Sequence, residues 1–282
     1  MTTPSDRIRR LFYALNIESG DVVYLHTSFG RLRHLGLTAD QLIESFLDRL
    51  GERGTLVMPS FSWNLDRAER PWKGYEQYFL TRPTFDVCST PANIGWIPER
   101  FRSLSGVRRS LDYWWSVCAY GRLAHELTHG QERVPHPYGA GSTFDLLRLS
   151  NAKIVGLGVT LNTTSLAPVA DYAFGSDHPH QVFTDEAQSG CIIDYSGRCF
   201  ETMSIWLLPE VVKSIKPSVV LTSHAVPQVS LHRADEGEVI QFAYDYETYH
   251  AAALQLGRTA ITSGRPLPWL AEYPQRRNVR CA

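Results

Sequence analysis

The sequence predicts an α/β fold: a central sheet, mostly parallel or mixed, flanked by helices and extended by a smaller antiparallel β section. Three observations predict it. Short apolar runs alternate with amphipathic stripes from Val22 to about Leu157. The stretch from Val22 to Pro59 reads as strand, helix and strand in direct succession, normally a right-handed crossover between parallel strands. After about His180 the texture changes to short strand-like runs around turn residues. With 282 residues, 43% of them hydrophobic and 20% charged, the chain has ample apolar material for a packed core. Residues 1–282 are read as a single domain whose antiparallel section begins at about residue 185.

Each element has a local reason. Ser5 is placed to cap a helix running to about Leu15, and the turn Glu18 to Asp21 delivers the apolar run Val22 to Leu25 as a buried strand ending at "HTSFGR". Leu42, Ile43, Phe46, Leu47 and Leu50 follow Thr38 at helical spacing, which lays one helix face on a sheet. Thr55 to Pro59 is the next strand. Residues 60–92, rich in Pro, Trp, Tyr and Arg, predict a long structured loop lining a site. A helix over about Asn93 to Leu104, a strand near Trp115 to Tyr120, a helix after Arg122, a helix capped by Ser142 and the strand in "AKIVGLG" repeat the alternation. Beyond them, "GCIIDYSGRCFE" predicts a hairpin about Tyr195 to Gly197. "SVVLTSHAVPQVSLHRA" and "GEVIQFAYD" predict further strands, and Tyr246 to Gly257 a helix.

Charge and composition exclude several functions. The formal net charge is −1 with the basic residues scattered, so no footprint for nucleic acid or an anionic membrane surface exists. No run of 18 apolar residues and no basic start followed by an apolar core are present, which predicts a soluble, unexported, cytoplasmic protein. Five cysteines without C-x-x-C spacing point to reduced thiols; Cys191 and Cys199 can face each other across the hairpin, with a dithiol the favoured state. Asp177, His178 and His180 offer too few ligands for a metal, and none is assigned. The doublet Trp114 and Trp115 predicts core packing, with one ring available to wall a pocket.

Two stretches carry chemistry. "LHTSFGRL" brings a histidine, hydroxyls and a glycine to the junction of a strand and a loop, which suits an anion or an acyl carbonyl gaining charge; an ordinary turn is the competing reading. "GLGVTLNTTSLAPVADYAF" runs from a strand through a glycine turn and a polar cluster into a helix start, yet holds no imidazole.

Together these segments resemble the aminoglycoside 3-N-acetyltransferase family. The resemblance lies in three ordered blocks: "GDVVYLHTSFGRLRHLG" with "GERGTLVMPSFSW", then "PTFDVCSTPANIGWIPERFRSLSGVRRS", then "HPYGAGSTFDLLRLSNAKIVGLGV". It implies acetyl-CoA or a related acyl-CoA as co-substrate and a small-molecule amine as acceptor, and it leaves a homodimer open. By position, His26, Thr27, Ser28 and Phe29 would lie nearest the CoA diphosphate and thioester, with Thr90, Pro91 and Ser116 close by.

The departures fall at the chemistry. Where the family has His-Pro after Arg-Ser, this chain has Asp112 and Tyr113; where the family has His-x-x-Glu, it has Pro168 and Asp171. Proline cannot take a proton from an attacking amine, a task suited to a group titrating near pH 6.5. The leading expectation is therefore acyl transfer to a small amine other than a common aminoglycoside, with Asp171, His178 and Asp112 as candidate catalytic residues. The alternatives are a pocket using carboxylates for hydrolysis, cyclisation or rearrangement without CoA, or a non-catalytic binding protein.

Overall fold

Strand β1 (Val22–Thr27) is apolar at consecutive positions and buried on both faces, as befits a central strand of a helix-covered sheet. The computed structural model describes residues 3–62, 84–163, 165–223, 231–235 and 238–272. Within them β1 is followed by β2 (Thr55–Pro59), β3 (Thr84–Asp86), β4 (Arg108–Arg109), β5 (Val117–Gly121), β6 (Lys153–Leu157), β7 (Gln188–Ile193), β8 (Cys199–Ser204), β9 (His232–Arg233) and β10 (Gln241–Asp245). The larger sheet has the order β4-β5-β2-β1-β6-β10-β9, with β1 parallel to both β2 and β6. The smaller one, β3-β7-β8, pairs β7 with β8 antiparallel and with β3 parallel.

Alternation along the strands divides the core. Val23, Leu25 and Met58 share one apolar cluster with Phe12 of α1 (Pro4–Ala14), Phe46 of α2 (Ala39–Leu50) and Phe101 of α3 (Trp96–Arg102). Tyr24, Val57, Ile154 and Phe242 join the opposite cluster. It is covered by α4 (Ala124–Thr128), α5 (Thr143–Leu149), α6 (Pro168–Phe174), α7 (Pro209–Ser214), α8 (Ser218–Leu221), α9 (Tyr246–Thr262) and the smaller sheet. Thr38 and Gln41 form a reciprocal capping box at α2, and Ser142 caps α5 as its sequence predicts.

Several expectations are corrected. Thr3, not Ser5, caps α1, because Pro4 occupies the first helical position and the Thr3 hydroxyl accepts the Asp6 N–H. Strand β1 runs on through His26 and Thr27, which pair with Gly156 and Leu157 of β6, so these two residues belong to the sheet rather than to the loop. The "SVVL" run is helix α8, started by Pro217. Residues 224–230 of that stretch, and 63–83 of the long loop, lie outside the described residues. Strands β9 and β10 return to the larger sheet instead of extending the smaller one, since Phe242, Ala243 and Tyr244 are apolar on both faces and need cover on both. Helix α9 continues past Gly257, where the rings of Phe174 and Trp269 fill the space a side chain would take. Cys191 and Cys199 are joined by a disulfide across the hairpin, in place of the favoured dithiol.

Candidate active site

Parallel strands bring their carboxyl ends together, and in open α/β sheets ligands bind in the crevice this creates. Here the ends of β1, β2 and β6 deliver His26, Thr27, Pro59 and Val159 to the wall of a cavity of about 260 Å³, closed on one side by Pro168 at the start of α6. Phe61, Trp115 and Tyr138 form an aromatic wall, and Leu207, Val212 and Ile215 an aliphatic one. Asn162, Thr163 and Ser165 add polar groups, while none of the described lining residues is an Asp, Glu, Lys or Arg. Trp115 thus walls the pocket, whereas Trp114 stacks on Trp206 at 4.2 Å in the core.

His26 is the imidazole of this wall. Its ring follows Tyr24 on the same face of β1 and meets it edge-on at 4.9 Å. The residue is only 7% exposed, and burial pushes its pKa from the ordinary 6.5 to about 4, so the ring is neutral at pH 7. Tyr24 lies beneath it; its hydroxyl shares a 2.9 Å hydrogen bond with Ser165. Among the described residues, His26 Nε2, Thr27 Oγ1 and Trp115 Nε1 are buried without a hydrogen-bond partner.

The rear of the site is built on Arg109, a buried cation that the sequence reading did not single out. Its guanidinium donates to the carbonyl of Ser60 at 2.6 Å, the hydroxyl of Ser62 at 2.8 Å, the hydroxyls of Ser60 and Ser116 at 3.2 and 3.3 Å, and the carbonyl of Thr90. The Phe85 ring packs 4.5 Å from it. Desolvation lowers its pKa to about 10, which still leaves the group charged at neutral pH. Five neutral oxygens from three segments therefore hold the charge in place, and the backbone between Pro59 and Phe61 is fixed as cavity wall.

Of the residues expected to bind a co-substrate, His26 and Thr27 line the cavity and the others do not. Ser28 spends its N–H on the Leu157 carbonyl at 2.9 Å, and Phe29 opens a short 3₁₀ turn. Thr90 caps a turn by accepting the Asp86 N–H, with exposed Pro91 next to it. Ser116 donates to the Ser60 carbonyl at 2.8 Å behind the wall.

The expected catalytic carboxylates and His178 stand apart from the cavity. Asp112 accepts the N–H groups of Trp114 and Trp115, both at 2.8 Å; burial raises its pKa, and these two donors pull the other way. Asp171 and His178 meet each other in the core: His178 Nε2 donates to Asp171 Oδ1 at 2.9 Å, and Trp269 Nε1 donates to the same oxygen at 2.9 Å. His178 Nδ1 accepts the His180 N–H at 3.0 Å, so both of its ring nitrogens are engaged. No group of three His, Cys, Asp or Glu side chains able to hold a metal occurs among the described residues. No helix among them is long and apolar enough to cross a membrane.

Comparison with known proteins places this architecture. The family model described as aminoglycoside 3-N-acetyltransferase matches residues 24–243, most of the chain. The chain belongs to the aminoglycoside 3-N-acetyltransferase family. One relative in that family, aminoglycoside N(3)-acetyltransferase IX of Micromonospora chalcea, is 28% identical over 166 residues; the match spans 57% of this chain and 58% of the relative's length. The fold is shared with the crystal structure of aminoglycoside acetyltransferase AAC(3)-Xa, at a TM-score of 0.72 and 22% identity over 90% of this chain and 92% of that one. It is shared too with AAC-IIIb, solved as a binary complex with CoASH, at a TM-score of 0.67 and 20% identity over 95% and 98% of the two chains.

Proposed function

We propose that this chain is an N-acyltransferase that moves an acyl group from acetyl-CoA or a related acyl-CoA to a small amine other than a common aminoglycoside. Membership of the family supports the reaction, and the relative solved with CoASH supports the donor. The observation that carries the substrate reading is the cavity lining: apolar side chains and neutral polar groups, with no carboxylate among the described residues. A polycationic acceptor would have to shed its water there with no anion to replace it, which is costly.

The donor would lie along the end of β1, its diphosphate near the turn Phe29–Arg31, where Arg31 and Arg33 are exposed and can supply positive charge. The apolar walls exclude water from the thioester and so favour aminolysis over hydrolysis. The carboxylate-based alternative draws little support, because Asp112 and Asp171 are both committed to internal donors away from the lining.

The test is a thiol-release assay with acetyl-CoA and a panel of acceptors, preceded by thermal unfolding with and without acetyl-CoA. Acetyl-CoA is expected to raise the melting temperature, and a small uncharged amine to exceed kanamycin and gentamicin by about 10²-fold or more in kcat/KM, the scale of a lost general base. Kanamycin turnover equal to that of the small amine would overturn the substrate reading, and the lack of any shift with millimolar acetyl-CoA would overturn the donor.

A further inference from the structure

The imidazoles near the cavity have different duties. His178 has both nitrogens engaged in the core, and His136 accepts the Tyr138 N–H through Nδ1 while its ring packs on Tyr172 at 4.2 Å. His26 alone among these lines the cavity, and its Nε2 is left without a partner among the described residues. Leaving a buried polar atom unpaired costs about 1–3 kcal/mol, and such atoms in native proteins call for an explanation. An imidazole without a hydrogen-bond partner for Nε2, on the wall of a largely apolar cavity, meets the first need of acyl transfer, a base for the nucleophile.

On the basis of the acyltransferase reading above, we infer that His26 is the catalytic proton acceptor of this chain, and that its acceptor substrate is a weakly basic amine, such as an aryl amine, that enters the cavity uncharged. The amine nitrogen attacks the thioester carbonyl carbon, forming the C–N bond. Collapse of the adduct breaks the C–S bond. The proton lost from nitrogen goes to the unprotonated nitrogen of His26 and from there to the departing thiolate, which leaves as free CoA thiol.

The surroundings of His26 select the amine. Tyr24 packs against the ring from its own strand; Tyr138 from the segment before α5, and Thr163 and Ser165 from the polar turn, line the cavity, and no charged side chain does so among the described lining residues. No charged group among the described lining residues stabilises an imidazolium, and burial holds its pKa at about 4. A base that weak cannot strip an alkylammonium, whose pKa is near that of lysine at about 10.4. It can take a proton from the far more acidic adduct of an amine that arrived neutral.

The experiment compares wild type with His26→Gln, which keeps a polar side chain of similar reach and cannot carry the proton. Acceptors are p-toluidine, neutral at pH 7, and butylamine, charged at pH 7, each with acetyl-CoA. The variant is expected to keep its melting temperature and to lose about 10²-fold or more in kcat with p-toluidine at saturating acetyl-CoA. Wild-type kcat should be level from pH 8 to about 6 and fall on the acid side as His26 protonates. The variant should lack that limb, which separates His26 from the amine's own titration. Wild-type kcat in His26→Gln, or a wild-type preference for butylamine, would overturn the inference; the second result needs no variant and stands even if the substitution impairs folding. Failure of wild type to bind acetyl-CoA would instead remove the acyltransferase reading on which the inference rests.

Discussion

At the scale of single residues, a buried pair stands behind Pro168. Asp171, one turn further along α6, has His178 as its imidazole partner, and the pair faces the core with Trp269. A buried carboxylate stripped of its donor is costly, so His178→Ala should lower unfolding stability by about 3–5 kcal/mol while leaving kcat of the folded fraction within a few-fold. Urea titration with parallel kinetics decides it: unchanged stability with a large loss of kcat would return His178 to the chemistry. The sequence placed Asp171 and His178 near one another and near the motif. It could not show that the His180 N–H occupies the second ring nitrogen, because that contact depends on how the "SDHPH" segment turns back on itself.

At the scale of elements, the site depends on one row across three strands. His26 of β1 pairs with Gly156 of β6, which pairs with Phe242 of β10. A side chain at Gly156 would come within 2.2 Å of the Phe242 ring, so the missing Cβ is what lets that ring lie flat over β6. Gly156→Ala is expected to destabilise the fold by about 1–3 kcal/mol through overpacking, visible as a lower denaturation midpoint at unchanged m-value. A midpoint equal to wild type would mean that Phe242 is free to move aside. The strands β1, β2 and β6 were legible from their apolar runs. That β10 returns to lie beside β6 was not, since a five-residue strand states that it needs cover and not which neighbour supplies it.

At the scale of the whole molecule, the buried histidines couple stability to pH. Burial lowers the pKa of both His26 and His136 from 6.5 to about 4, so the unfolded chain binds more protons than the folded one between those values. Their contribution to stability is complete above pH 6.5 and is lost as pH falls toward 4. The urea midpoint should therefore decline through that window, earlier than the titration of surface carboxylates would cause by itself. His26→Gln should flatten part of the decline. A midpoint constant from pH 7 to 5 would show that these rings reach water in the folded state.

The sequence by itself determined the fold class, the parallel strand-helix-strand core and the family, because apolar periodicity, caps and motif spacing are local properties written along the chain. The tertiary structure alone decided which of the remaining polar groups face the cavity. Asp112, Asp171 and His178 are close to the motifs in sequence, yet none lines the cavity: Asp112 accepts the N–H groups of Trp114 and Trp115, and Asp171 Oδ1 accepts from His178 and from Trp269, which the fold brings to within 2.9 Å. His26 was visible as part of a loop-like motif. Its place at the end of a buried strand, desolvated and without a partner for Nε2 among the described residues, arises from the pairing of β1 with β6 and the aromatic walls folded over them. Burial and hydrogen-bond satisfaction are properties of the assembled core, and so they decide chemistry that residue identity leaves open.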